Sequence, residues 1–243
     1  MQRPTPVFIV TSSRPRVGKT LIARALTEFF CIQRRPAAAF DVNPDDFSLL
    51  DYLPACTEAV DLRETRSEVE LFDRLVTADQ VPKVVDLGHM LFDRFFAVMR
   101  EIEFAIEAER RTVVPIVLFA ADADERARRA FAMLNDHFPS LLLVPVFNQG
   151  IPKITRYREH FPLTRSGGPL VSIPALTAVV RSVVDRRGFS FATYSTRTAD
   201  TTTELYDWMR RVFVTFRELE LRLLLNRLRS SLGAPAAEQP GST

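Results

Sequence analysis

Residues 11–20 read TSSRPRVGKT, and this decapeptide decides the fold. Before it stands the apolar run Val7-Phe8-Ile9-Val10, part of a candidate strand over 7–13. After it, Leu21, Ile22, Ala25, Leu26, Phe29 and Phe30 recur at helical spacing and predict a helix over 20–34. A strand, a tight bend and a helix N-terminus together aim several backbone N–H groups at one point and add the helix's partial positive charge, which suits an anion. Gly18 permits close approach, Lys19 brings a cation, and Thr20 brings a hydroxyl able to ligate Mg²⁺. The spacing G-x-x-x-x-G-K-[ST] is broken at its start, because Ser13 stands at the first glycine. Serine enters the left-handed region less readily than glycine. Pro15, between Arg14 and Arg16, fixes one φ and removes one donor.

Working outward, the same alternation continues. Candidate strands occupy 36–42, 82–88, 112–121, 141–150 and 169–174, and helical patterns fill 66–78, 92–110, 123–137 and 175–187. Continuous apolar strands separated by helices predict a mainly parallel sheet covered on both faces, a three-layer α/β/α P-loop domain. The domain is expected over 1–198, with a C-terminal helix over 199–232 and a disordered tail over 233–243. The chain of 243 residues suffices for one such domain.

The net charge of +2 excludes a polycation built for nucleic acid. Only three of the 32 basic residues are lysine, so the lysine between Gly18 and Thr20 is a selective placement. Cys31 and Cys56 have no metal-binding spacing and read as free thiols. His89, His137 and His160 are likewise scattered. No stretch approaches the ~20 apolar residues of a membrane span, so a cytoplasmic protein without membrane contact is expected.

Two carboxylates fall at strand ends, Asp41 in FDVNPDD and Asp86 in VVDLG. Ligands of parallel sheets bind at the carboxyl ends of the strands. A lysine loop and two acids there can hold Mg²⁺ beside a polyphosphate.

On these residues the chain resembles the ParA/MinD group of P-loop ATPases. Aligned on Gly18-Lys19-Thr20, the group's signature lysine falls on Arg14, and its two loop glycines fall on Pro15 and Arg16. The resemblance implies that Arg14 reaches across a nucleotide-sandwich homodimer. It implies an ATP–Mg²⁺ site made by residues 13–21 (Ser13, Arg14, Pro15, Arg16, Val17, Gly18, Lys19, Thr20, Leu21), with Thr20, Asp41 and Asp86 near the metal. The motif D-x-D-P-Q matches Asp41-Val42-Asn43-Pro44-Asp45, so Asn43 stands where the water-positioning aspartate is expected, beside Lys19 and Arg14 as the catalytic set. An amide is no base, which weakens the expectation of hydrolysis more than that of binding. Asn148 in VPVFNQG and Pro174 after Ile173 fall on the adenine-side positions. Within the group, VVDLGHMLFDRFF, SIPAL and RRGFSFATY look most like conjugal-transfer and mobilisation proteins of the TraL/StbB/MobD kind. The loop also resembles that of dethiobiotin synthetase, through Val17-Gly18-Lys19-Thr20. The Lys-Pro pair expected after the second strand of such a ligase is replaced by Asp41-Val42-Asn43-Pro44.

The sequence is compatible with three functions: an ATP-driven switch acting in DNA partition, plasmid mobilisation or cargo positioning; a degenerate P-loop protein that binds without turnover; and a ligase. The C-terminal pattern Leu205, Trp208, Met209, Val212, Phe213, Phe216 and Leu219 reads as the closing helix of the domain. The phase changes at Leu221, Leu224, Leu225, Leu228 and Leu232, a candidate protein-partner surface. The arginines at 126, 128, 129, 181, 186 and 187 are candidates for non-specific DNA contact.

Overall fold

In a computed structural model, the protein is described over residues 4–43, 45, 48–151, 154–162, 170–198 and 200–233. Pro44, Lys153, residue 169 and the tail from 234 onward lie outside the described residues, as do the side chains of Arg227, Leu228, Arg229 and Leu232. Seven strands form one sheet: β1 (Thr5–Thr11), β2 (Ala38–Val42), β3 (Thr57–Ala59), β4 (Lys83–Leu87), β5 (Val113–Ala120), β6 (Leu142–Asn148) and β7 (Val171–Ile173). Their order is β3-β2-β4-β1-β5-β6-β7, and all six neighbouring pairs are parallel. The expectation of a mainly parallel sheet is thus met in full.

β1 lies at the centre and is buried on both faces, which is why its sequence reads as an unbroken apolar run. Val7 and Ile9 enter one core; Phe8 and Val10 enter the other. On the first face lie α3 (Thr65–Leu75), α4 (Phe92–Glu101), α5 (Phe104–Arg110) and α6 (Glu125–His137). On the second lie α1 (Lys19–Ile32), α2 (Ser48–Tyr52), α7 (Ala178–Val184), α8 (Phe191–Arg197) and α9 (Glu204–Gly233). The result is three layers, helix on sheet on helix. Phenylalanines dominate both cores: Phe119 meets Phe92 and Phe131 edge-on, and Phe29 meets Phe216. Each such ring is worth roughly 1.5–3 kcal/mol on burial.

The helical pattern over 92–110 divides into α4 and α5. The break falls at Glu103, whose φ of 50° is left-handed. The turn drives Phe104 into the core against Phe72, 5.8 Å between ring centres, where a straight helix would carry it past. Three short elements carry too few residues to show a period: α2, β3 and α8. α8 is capped by Ser190, whose Oγ accepts from Thr193 N at 3.1 Å. The closing-helix reading of residues 205–219 holds. Trp208 and Met209 are buried, Trp208 stacks on Phe191, and its indole N–H donates to Pro174 O at 2.8 Å. Cys31 and Cys56 are free and half-buried. Among the described residues, no helix is long and apolar enough to cross a membrane.

Candidate functional site

β1 ends at Thr11, and the chain bends through Ser12–Val17 into α1. Gly18 caps that helix with φ 88° and ψ 21°, left-handed geometry that suits glycine, and no side chain caps the N-terminus. The uncapped first turn leaves its amide dipoles directed into the space before it. A second left-handed residue in the bend is Arg16, with φ 58°. This is one of the positions where the resemblance puts glycine. The backbone therefore adopts the conformation, and arginine bears the steric cost.

Gly18 has a further constraint. A Cβ there would lie 2.3 Å from Asn148 Nδ2. Asn148, at the end of β6, donates that nitrogen to Val17 O at 3.2 Å and accepts at Oδ1 from Gly150 N at 3.0 Å. It supports the loop from the side, with both ends of its amide engaged.

Lys19 is buried and turns back over the bend, its Nζ donating to Arg14 O at 2.8 Å. Burial lowers its pKa, and the nearby Asp86 carboxylate opposes that shift. Arg14 itself pairs with Asp124 at 3.6 Å, the residue that caps α6. Ser13 Oγ is buried and has no hydrogen-bond partner among the described residues.

Beneath the loop, the strand ends bring the two acids together. Asp41 on β2 is in direct register with Asp86 on β4, and Asp86 is in register with Val10 on β1. Both aspartates are fully buried. Each strand continues one residue past its aspartate, to Val42 and Leu87. Asp41 accepts from Leu50 N at 2.9 Å and from Asn43 Nδ2 at 2.7 Å. Asn43 Nδ2 also reaches Asp86 O at 3.1 Å, so the amide straps β2 to β4. Gly88 makes room for that strap, because a Cβ there would lie 2.7 Å from Asn43 Oδ1.

A cleft of about 540 Å³ opens over these parts. Pro15, Arg16, Gly18, Lys19, Thr20 and Leu21 form one wall, and Asn43 lines it just after β2. Ser13, Arg14, Val17, Asn148 and Pro174 do not line it, and neither do the fully buried Asp41 and Asp86. Tyr52, Gly88 and Arg24, which no motif in the sequence marks, also line it, together with His89, which follows the strand of Asp86. His89 carries a lowered pKa, from burial first and then from Lys19 and Arg14. The lining holds the cations Arg16, Lys19, Arg24 and Arg181 against Asp45 and Asp185, a positive balance that suits an anion.

Arg24 is the least anticipated member. It lies one turn along α1 from Thr20 and is almost wholly buried. Its guanidinium donates to Val184 O at 2.8 Å and Phe189 O at 2.6 Å, and lies 4.1 Å from the Tyr52 ring centre. Glu28 neighbours it at 3.5 Å and also accepts from Ala192 N at 2.9 Å. The pair ties α1 to the α7–α8 connection. An Arg and a Glu four apart signal a helical pair in sequence, but not one buried among aromatic rings.

Among the described residues, no group of three or more His, Cys, Asp or Glu side chains is gathered to hold a metal ion. Mg²⁺ needs no such cage when phosphate oxygens and waters supply most of its ligands. No protein-family model matches the chain, and no curated protein matches it.

Proposed function

We propose that this chain is a nucleotide-binding switch of the ParA/MinD type, taking ATP with Mg²⁺ and pairing as a nucleotide-dependent homodimer. DNA partition, plasmid mobilisation and cargo positioning are the processes such a switch serves. One observation carries the reading: the uncapped N-terminus of α1, with left-handed Gly18 and buried Lys19, opens on a cationic cleft whose lining residue Asn43 is bonded to Asp41 and to the Asp86 carbonyl. The amides at residues 18–21 and the Lys19 amine would hold the phosphates, and Thr20 with Asp86 and Asp41 would hold the metal. A bound Mg²⁺ neutralises phosphate charge and fixes phosphate geometry. Binding requires Lys19 to leave the Arg14 carbonyl, a local rearrangement of one side chain.

A second reading, binding without turnover, is favoured by Asn43. Its amide nitrogen is committed to Asp41 and to Asp86 O, and an amide takes no proton from water.

Calorimetric titration of the full chain with ATP and with ADP, with and without Mg²⁺, tests the proposal. It expects heat with nucleotide that disappears in Lys19→Ala. Absence of heat with either nucleotide overturns it. Steady phosphate release that is lost in Lys19→Ala selects the switch; tight binding with no release selects the second reading.

A further inference from the structure

At the opposite end of the molecule from the cleft, a groove of about 480 Å³ runs between α3, α4 and α5. Val69, Phe72, Val76, Val98, Ile102 and Phe104 give it an apolar floor. Val69 and Ile102 are 54% and 45% exposed, large for aliphatic side chains at adjoining positions. Its rim is acidic. Glu68, Asp73, Glu101 and Glu107 stand on it against one cation, Arg111. Arg111 is paired with Glu107, and Glu68 is paired with Arg94. Among the described residues, Asp73 and Glu101 have no cation within ion-pair distance.

The same chain carries a segment of complementary character. α9 packs on the domain as far as Leu219 and, partly, Leu223, and its backbone continues as helix to Gly233. At 1.5 Å per residue, the ten residues after Leu223 extend about 15 Å beyond the last core contact. Leu221 and Leu225 are 52% and 54% exposed. The segment LRLLLNRLRSSLG (221–233) holds three arginines and no acid. Its leucines at 221, 224, 225, 228 and 232 recur at the spacing of one helix face.

The end of α9 and the groove lie on opposite faces of the sheet. The groove's Phe72 and Phe104 belong to the core on one face of the sheet, and α9 belongs to the core on the other. Yet both lie at the amino-terminal pole of the strands. The groove borders Val76 and Arg111, which precede β4 and β5; the α9 end borders Pro4, Pro6 and Val114.

We propose that the α3–α5 groove receives the basic, leucine-rich end of α9 from a second copy of this chain. The leucine face covers Val69 and Ile102, as an amphipathic helix fills an apolar groove, and arginines such as Arg222 meet Asp73 and Glu101. Exchange of the two ends around a two-fold axis closes the pair. The contact lies at the pole away from the nucleotide cleft and does not rest on the nucleotide reading.

Sedimentation of the full chain across a concentration series at low salt, without nucleotide, tests this. The expected result is a dimer that weakens as salt rises. Leu221→Glu with Leu225→Glu, and separately Val69→Glu with Ile102→Glu, each give monomer at concentrations where the parent is paired, with unchanged circular dichroism. Mixing the two variants restores pairing, because one helix–groove contact is intact. Should the groove variant fold poorly, Asp73→Lys with Glu101→Lys abolishes pairing and added Arg222→Glu recovers it. A parent chain that stays monomeric throughout overturns the proposal. So does a groove variant that pairs as the parent does, or a monomer whose α9 binds anionic vesicles instead.

Discussion

Asp41 and Asp86 face each other in register across the β2–β4 pair, and a single amide nitrogen, that of Asn43, donates both to the Asp41 carboxylate and to the Asp86 carbonyl. Next to the cleft lies a buried acidic pair with a neutral strap. The strap needs a donor and must not add charge.

Asn43→Asp removes the donor and places a second carboxylate against Asp41. The expected cost is about 1–3 kcal/mol at neutral pH, the range for an unsatisfied buried polar group. Two carboxylates in contact do not both ionise readily, so the deficit shrinks as pH falls toward roughly 4. Urea midpoints of parent and variant at both pH values check this. Equal midpoints at neutral pH would show that the strap is not structural.

Arg16 occupies left-handed backbone without the freedom of glycine. Arg16→Gly relieves a strain of about 1–2 kcal/mol, offset in part by glycine's greater unfolded-state entropy of about 0.5–1 kcal/mol. A net gain in stability of a few tenths to 1 kcal/mol is expected from thermal unfolding. A loss would mean that the Arg16 side chain holds the bend in place.

Gly18→Ala meets two obstacles, the φ of 88° and the Asn148 amide at 2.3 Å from the new carbon. The backbone cost alone is about 1–2 kcal/mol. Adding Asn148→Ala removes the clash and leaves that cost, so the double variant is expected to be more stable than Gly18→Ala alone. Additivity of the two single effects, measured by denaturant titration, would contradict the close approach.

Glu28 has a raised pKa, chiefly because it is buried, with Ser190, Ala192 and Arg24 opposing the shift. The folded state then holds the Glu28 proton more tightly than the unfolded chain does. Its contribution to stability is fully present below the ordinary carboxylate value of 4.5 and is lost as pH rises through the folded value. Glu28→Gln is expected to flatten that part of the stability–pH curve. Arg24→Met is expected to cost about 3–5 kcal/mol, since it leaves Glu28 buried without its cation. A stability–pH curve unchanged by Glu28→Gln would place the titration elsewhere.

Much of the fold was legible because strands buried on both faces are written as apolar runs, as in Val7–Val10 and Val84–Val85. The loop was legible because Gly18 and Lys19 sit between a strand and a helix. Asp41 and Asp86 could be placed at strand ends, but their register could not, since strand order is not a local property. The left-handed turn at Glu103 and the short α2, β3 and α8 arise from tertiary packing that no period records. Arg24 was hidden for the same reason: its partners, Val184 O and Phe189 O, lie some 160 residues away along the chain. The positive φ at Arg16 carries no glycine of its own to mark it, and only the loop pattern of the resembled family, with glycine at that position, points to it.

The most direct test of the nucleotide site is a crystal structure of the full chain grown with a non-hydrolysable ATP analogue and Mg²⁺. The polyphosphate is expected against the amides of Gly18, Lys19 and Thr20, with the Lys19 amine moved from the Arg14 carbonyl to the phosphates. A loop unchanged from its free form, with Lys19 still on Arg14 and no phosphate beside Gly18, would contradict this expectation.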